Sequence, residues 1–229
     1  MGQNEAAGIE VLKEILRDKA RKAGGQFNAY PLGPQDRKVL ADDIFAAADY
    51  FAIVESKWSE DQLSTEAKDK AERVKRLCEG LVTNSAMAEL HAKCHKIAWR
   101  DSATGLSMLQ PYRDVVCVDS WPSTCVALNK SSPFDAEVFA DAFFGNPPGH
   151  CVRAADFIRY VKWLLKTVTG ADDKSVVVLA RETNSQGKSI SKEITLENLS
   201  IHLTKLAATR ATAAVKRAEQ KATRKLKGP

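Results

Sequence analysis

Asp42-Asp43-Ile44-Phe45-Ala46-Ala47-Ala48-Asp49-Tyr50-Phe51-Ala52-Ile53-Val54-Glu55-Ser56-Lys57-Trp58 is the stretch on which the fold turns. Two apolar-rich segments, about 38–46 and 50–58, flank a short joint at 47–49, and this pattern predicts a β-hairpin. Side chains two apart on a strand share a face, so Glu55 and Lys57 point the same way at the end of an apolar run. Asp43, on the preceding strand, is expected to converge with them.

Working upstream, Ile9, Leu12, Ile15 and Leu16 recur at helical spacing opposite Glu10, Lys13, Glu14 and Arg17, and the pattern stops at Gly24-Gly25. An amphipathic first helix follows. Downstream, Ser59-Glu60-Asp61 opens a predicted helix reaching about Leu81, with acidic residues in its first turn where the helix dipole favours them. Residues 86–94 read as a helix and 95–99 as a short strand, while the continuous apolar run in 113–119 predicts a strand covered on both faces. Beyond these come predicted helices at 135–144 and 152–168, a strand at 175–180, a polar turn at 184–188 and a final helix from about Leu196. The sum is an α/β domain over 1–202 with a basic helical tail over 203–229.

Acids and a lysine gathered at a strand end have a definite chemical use. Mg²⁺ or Mn²⁺ takes a few hard oxygen ligands and keeps several waters, and Asp43, Glu55 and the backbone carbonyl of Ser56 can supply such oxygens. A bound metal acidifies water and screens charge developing on a phosphate, and Lys57 can hold the attacking water. Such a set suits phosphodiester hydrolysis.

Helix, strand with Asp43, apolar strand ending Glu55-Ser56-Lys57, then helix: in this order the chain resembles the PD-(D/E)xK restriction-endonuclease-like nucleases. The resemblance covers about Ala6 to Leu81, with 113–119 as a further core strand. It implies an αβββαβ core with added helices, a Mg²⁺ or Mn²⁺ cofactor, and hydrolysis of DNA. It also implies an auxiliary acid from the first helix: Glu10, five and six residues ahead of Ile15-Leu16, fits better than Glu14. Asp42 competes with Asp43 as the first acid, and Ile44-Phe45 after Asp43 favour the latter. Two departures leave the branch open: Asp42 stands where the name of the family has proline, and Gln62 has no tyrosine four residues later. A setting in prokaryotic defence or a mobile element, and a homodimer or partner subunit, are expectations of the same resemblance. The alternatives are a catalytically inert subunit that binds DNA or protein on the same scaffold, and an interaction module in which Glu55 and Lys57 are surface charges.

Charge is unevenly distributed. The net +5 divides into +7 over 203–229, where eight basic residues face one acidic, and −2 over 1–202. The tail reads either as a solvated, frayed terminus or as a cationic arm for phosphate contact without sequence readout. No apolar run approaches the roughly 20 residues of a membrane span, and the first residues lack a signal-peptide profile. Five cysteines cannot all pair within one chain, so free thiols in a reducing cytoplasm are the simpler expectation. Cys78, His91, Cys94 and His95 share helical spacing but lack a second ligand knuckle, and read as an interior cluster rather than a zinc site. Cys151 beside His150 has no activating motif, Gly187-Lys188-Ser189 lacks the upstream glycine of a phosphate loop, and Trp121 and Trp163 read as core or edge aromatics.

Overall fold

The computed structural model describes residues 3–33, 40–118, 120–121, 130–170, 177–183 and 189–195, with 198 and 201. Helix α1 (Gln3–Lys22) buries Ile9, Leu12 and Leu16, the stripe that its spacing predicts. Strands β1 (Asn28–Pro31), β2 (Asp43–Ala47) and β3 (Tyr50–Ser59) then form an antiparallel meander. The chain crosses over and returns in β4 (His95–Arg100), which pairs parallel to β3. A parallel neighbour requires such a long connection, and helices fill it.

Sequence predicts one helix from 59 to 81, and the structure breaks it. A 3₁₀ turn (Glu60–Gln62) leads into α2 (Leu63–Asp69), and Lys70, at φ −116° and ψ 25°, separates α2 from α3 (Ala71–Thr83). Helix α4 (Ser85–Cys94) follows, capped by Asn84, whose side chain accepts from the Met87 amide at 3.1 Å. After β4 come β5 (Ser107–Pro111), α5 (Tyr112–Val116), β6 (Phe134–Asp135), α6 (Ala136–Phe143), β7 (Val152–Arg153) and α7 (Ala154–Thr169). The order across the sheet is β1-β2-β3-β4-β5-β6, with β7 also paired to β3. A separate antiparallel pair, β8 (Val177–Thr183) and β9 (Ser189–Thr195), brackets the turn predicted at 184–188, whose residues lie outside the described set.

The strand expected at 113–119 is corrected: Tyr112–Val116 is helical, and the β5 strand ends at Pro111. A short unbroken apolar run buries equally well in either conformation. Here Val116 and Cys117 pack into the core from a helix and the turn after it.

The sheet separates two cores. On one face Phe45, Ala47, Ala52 and Val54 pack with Ile9, Leu12 and Leu16 of α1 and with Phe139, Ala140 and Phe143 of α6. On the other, Ile44, Ala46, Phe51 and Ile53 meet α3, α4 and α7. Strict alternation along β2 and β3 makes this an α/β/α sandwich around a mixed sheet. Among the described residues no helix is long and apolar enough to cross a membrane.

Candidate functional site

Register decides which acids meet. Ala47 pairs with Tyr50 and Asp43 with Val54, so the hairpin loop is the two residues Ala48 and Asp49, with Ala48 at a φ of 50°. A three-residue joint at 47–49 would have put Asp43 on the face of Glu55. The two-residue loop shifts the pairing by one and sends Asp43 to the opposite side. The expected convergence of Asp43 with Glu55 and Lys57 is therefore corrected.

Asp43, only 2% exposed, faces α1, where Lys13 Nζ lies 3.0 Å from its Oδ1. Lys13 also reaches Glu10 Oε1 at 3.1 Å, and Arg17 stands 3.5 Å from the other Glu10 oxygen. Glu10 and Asp43 thus belong to an ion-pair chain on the α1 side, and Glu14 is exposed on the same helix. The auxiliary acid expected in Glu10 does not join Glu55.

Asp42 is nearer the site. It lies just before β2, its charge acts on Glu55, and its Oδ2 accepts from the Ser56 amide at 3.0 Å and the Ser56 hydroxyl at 2.8 Å. These bonds fix the backbone between Glu55 and Lys57. The β3–β4 register shifts between Ser56 and Ser59, a local irregularity in the strand that carries Lys57. Gln62 holds the end of β3, its side-chain oxygen accepting from the Trp58 amide at 3.2 Å.

Around Glu55 the structure gathers four more polar side chains. Lys57 Nζ lies 3.3 Å from Glu55 Oε1 and 2.7 Å from Glu66 Oε2. Lys70 Nζ lies 3.3 Å from the same Glu55 oxygen and 2.5 Å from Glu66 Oε1. The Tyr112 hydroxyl donates to Glu66 Oε1 at 2.7 Å. Glu55 and Glu66 are 4% and 1% exposed, and Glu55 Oε2 has no hydrogen-bond partner.

Burial and the nearby Glu66 and Asp42 charges push the Glu55 carboxyl up to about 8, against the pull of Lys70 and Lys57. Burial also pushes on Glu66, but Lys70 and Lys57 overcome it and hold that carboxyl at about 2. Lys57 would lose its proton more readily through burial alone, yet Glu55 and Glu66 raise it above the ordinary lysine range. Two buried acids a lysine apart are thereby driven to opposite protonation states. Glu55 is held toward its neutral form and Glu66, ionised, anchors two cations.

Among the described residues no three His, Cys, Asp or Glu side chains are placed to hold a metal ion by themselves. A Mg²⁺ site needs fewer, because that ion commonly binds one or two carboxylates and retains water. The hard oxygens of Glu55 and Asp42, with the Ser56 carbonyl, match that demand, and the orphaned buried Glu55 Oε2 is a ligand atom lacking a partner.

The remaining candidates are structural. His91 accepts from the Arg113 amide on Nε2 at 3.1 Å, so its neutral ring carries the proton on Nδ1 and donates to the Tyr160 oxygen at 2.6 Å. Tyr160 in turn donates to His95 Nδ1 at 2.7 Å. Cys78 and Cys117 form a disulfide joining α3 to the turn after α5, which corrects the expectation of free thiols, whereas Cys94 and Cys151 are buried and free. Burial pushes the Cys151 thiol up to about 12, leaving it a poor nucleophile. Trp121 and Trp163 pack against the core. The cationic tail 203–229, Cys125 and Lys188 lie outside the described residues.

Sequence reasoning missed Glu66, Lys70, Tyr112 and Lys13. An acid and a lysine at i and i+4 just after the Glu55-x-Lys57 strand, Glu66 and Lys70, were the one available signal. The chain matches no protein-family model, and comparison with curated proteins and with solved structures finds no similar chain either.

Proposed function

We propose that the protein is a metal-dependent nuclease that hydrolyses DNA phosphodiester bonds in the manner of the PD-(D/E)xK enzymes. The observation that carries this reading is Glu55 itself: a buried carboxylate at the end of an apolar strand, with one oxygen unpartnered and Lys57 beside the other. The order of elements supports it, since a helix, a three-stranded meander, a helical crossover and a strand parallel to the third follow the order expected of the αβββαβ core that the resemblance implies.

In this reading Asp42 replaces Asp43 as the first acid, and Glu55, Asp42 and the Ser56 carbonyl hold Mg²⁺ or Mn²⁺. The metal, when bound, makes a water more acidic and screens the phosphate. Lys57 orients the attacking water and offsets charge on the phosphate, and Glu66 holds Lys57 charged and in place. Glu10 and Asp43 have no catalytic part. DNA is the substrate favoured by the +7 carried over 203–229.

Supercoiled plasmid incubated with the full chain and Mg²⁺ or Mn²⁺ tests the reading. Nicking by the wild type, lost in Glu55→Ala and in Lys57→Ala with melting curves preserved, is the expected outcome. Equal cleavage by both variants overturns the assignment, and a wild type that neither cleaves nor takes up Mn²⁺ overturns the function.

A further inference from the structure

Lys70 has a position that the nuclease reading leaves unused. It is drawn into the same buried acid pair as Lys57 from a different element, at the break between α2 and α3, where its backbone leaves helical geometry. An ammonium has three donors. Lys70 directs two at Glu55 Oε1 and Glu66 Oε1, which leaves one for a ligand, and its side chain retains 19% exposure. Lys70 also borders a small, mainly aliphatic cleft of about 10 Å³ with Arg73, His95 and Tyr112, too small for a phosphate, so a ligand would meet the ammonium from its solvent-exposed side.

Charge supplies a second argument. Asp42, Glu55 and Glu66 against Lys57 and Lys70 leave one negative charge when all are ionised. A divalent cation reverses that to one positive charge, the complement of a single phosphodiester. Without Lys70 the loaded site is neutral, and Lys57 alone faces both the water and the phosphate.

We propose that Lys70 is a substrate-contacting residue that donates to a non-bridging phosphate oxygen of the bound nucleic acid, and that Glu66 is the positioning residue that presents it. The assignment rests on the nuclease reading for its substrate, and its test separates the two. Glu66 divides its oxygens between the lysines, which holds the two ammonium groups apart as separate donors. A lysine acts at a phosphate as a point charge, so arginine should substitute in part and alanine should not.

The experiment measures binding of a fluorescein-labelled 20-base-pair duplex to the full chain in Ca²⁺, which keeps a divalent cation present, across a salt series, with plasmid cleavage in Mg²⁺ as a second arm. Variants are Lys70→Ala, Lys70→Arg and, as an exposed control, Lys93→Ala; Lys70→Gln replaces the alanine variant if that one fails to fold. Lys70→Ala is expected to weaken duplex binding about tenfold and reduce the logarithmic salt slope by about one. In cleavage it should raise KM with kcat changed less than about threefold, and Lys70→Arg should recover part of the loss. Glu66→Gln should mimic Lys70→Ala in KM, and the double variant should lose no more than the worse single one. Binding by Lys70→Ala equal to that of Lys93→Ala overturns the proposal, as does a fall in kcat at constant KM. If the wild type binds duplex through Lys70 yet never cleaves, Lys70 stands and the nuclease reading falls. If the wild type cleaves and Lys70→Ala is indistinguishable from it, the reverse holds.

Discussion

Asp43 pairs with Val54 across the β2–β3 hairpin, and this single register relation puts its carboxylate on the face of the sheet opposite Glu55. There it neutralises Lys13, which is itself buried. Asp43 is therefore a structural acid. Asp43→Asn leaves the buried Lys13 with only the exposed Glu10 carboxylate as counter-ion, so the loss should reach but not exceed the about 3–5 kcal/mol of a fully broken buried pair. Urea unfolding should show a loss of that order, with any metal affinity unchanged. A fully stable Asp43→Asn protein would contradict this role.

Acid should weaken the fold below about pH 6.5. Burial holds His95 down at about 3 and His91 well below the ordinary histidine range, so the unfolded chain binds two more protons there once the pH falls under 6.5. His150, lowered to about 4 by burial and Lys96, acts in the same direction. Glu55 opposes them: raised to about 8, it keeps its proton in the folded state while the unfolded chain has lost it, which favours folding at low pH and fades as pH rises through 8. The balance of three histidines against one carboxyl leaves one to two protons, about 1.4–2.7 kcal/mol per pH unit between 5 and 6.5. Urea midpoints should rise from pH 5 to 6.5. Glu55→Gln should steepen that rise by about 1.4 kcal/mol per pH unit, since the opposing proton is gone, and a wild-type profile flat between pH 5 and 6.5 would contradict the directions assigned to the histidines.

The Cys78–Cys117 bond closes a segment with a sequence separation of 39, fastening α3 to the turn that follows Tyr112. Loop closure of that length is worth about 4 kcal/mol in the chain-entropy account. Thiol titration of the unfolded, unreduced chain should find no more than three of the five cysteines, and reduction should lower the urea midpoint. Five titratable thiols would exclude the bond.

The first helix, the apolar alternation of Phe51–Val54 and the Glu55-x-Lys57 ending are legible in the sequence because each depends on local periodicity. Three features were not legible, for different physical reasons. Whether Asp42 or Asp43 meets Glu55 depends on a loop of two residues against three, and Ala48 at positive φ gives no glycine or asparagine signal for the tighter one. The helical state of Tyr112–Val116 depends on tertiary packing around Val116 and Cys117, which a run of valines does not encode. Lys70 joins the site because α2 folds back over the end of β3, a long-range arrangement invisible in the spacing from Lys57.

Mn²⁺ titration calorimetry on Asp42→Asn beside Asp43→Asn tests the central assignment most directly, because the two substitutions are chemically identical and adjacent in sequence. The account expects wild-type affinity in Asp43→Asn and at least about a tenfold loss in Asp42→Asn. Mn²⁺ binding lost in Asp43→Asn and retained in Asp42→Asn, or absent from the wild type, would contradict it.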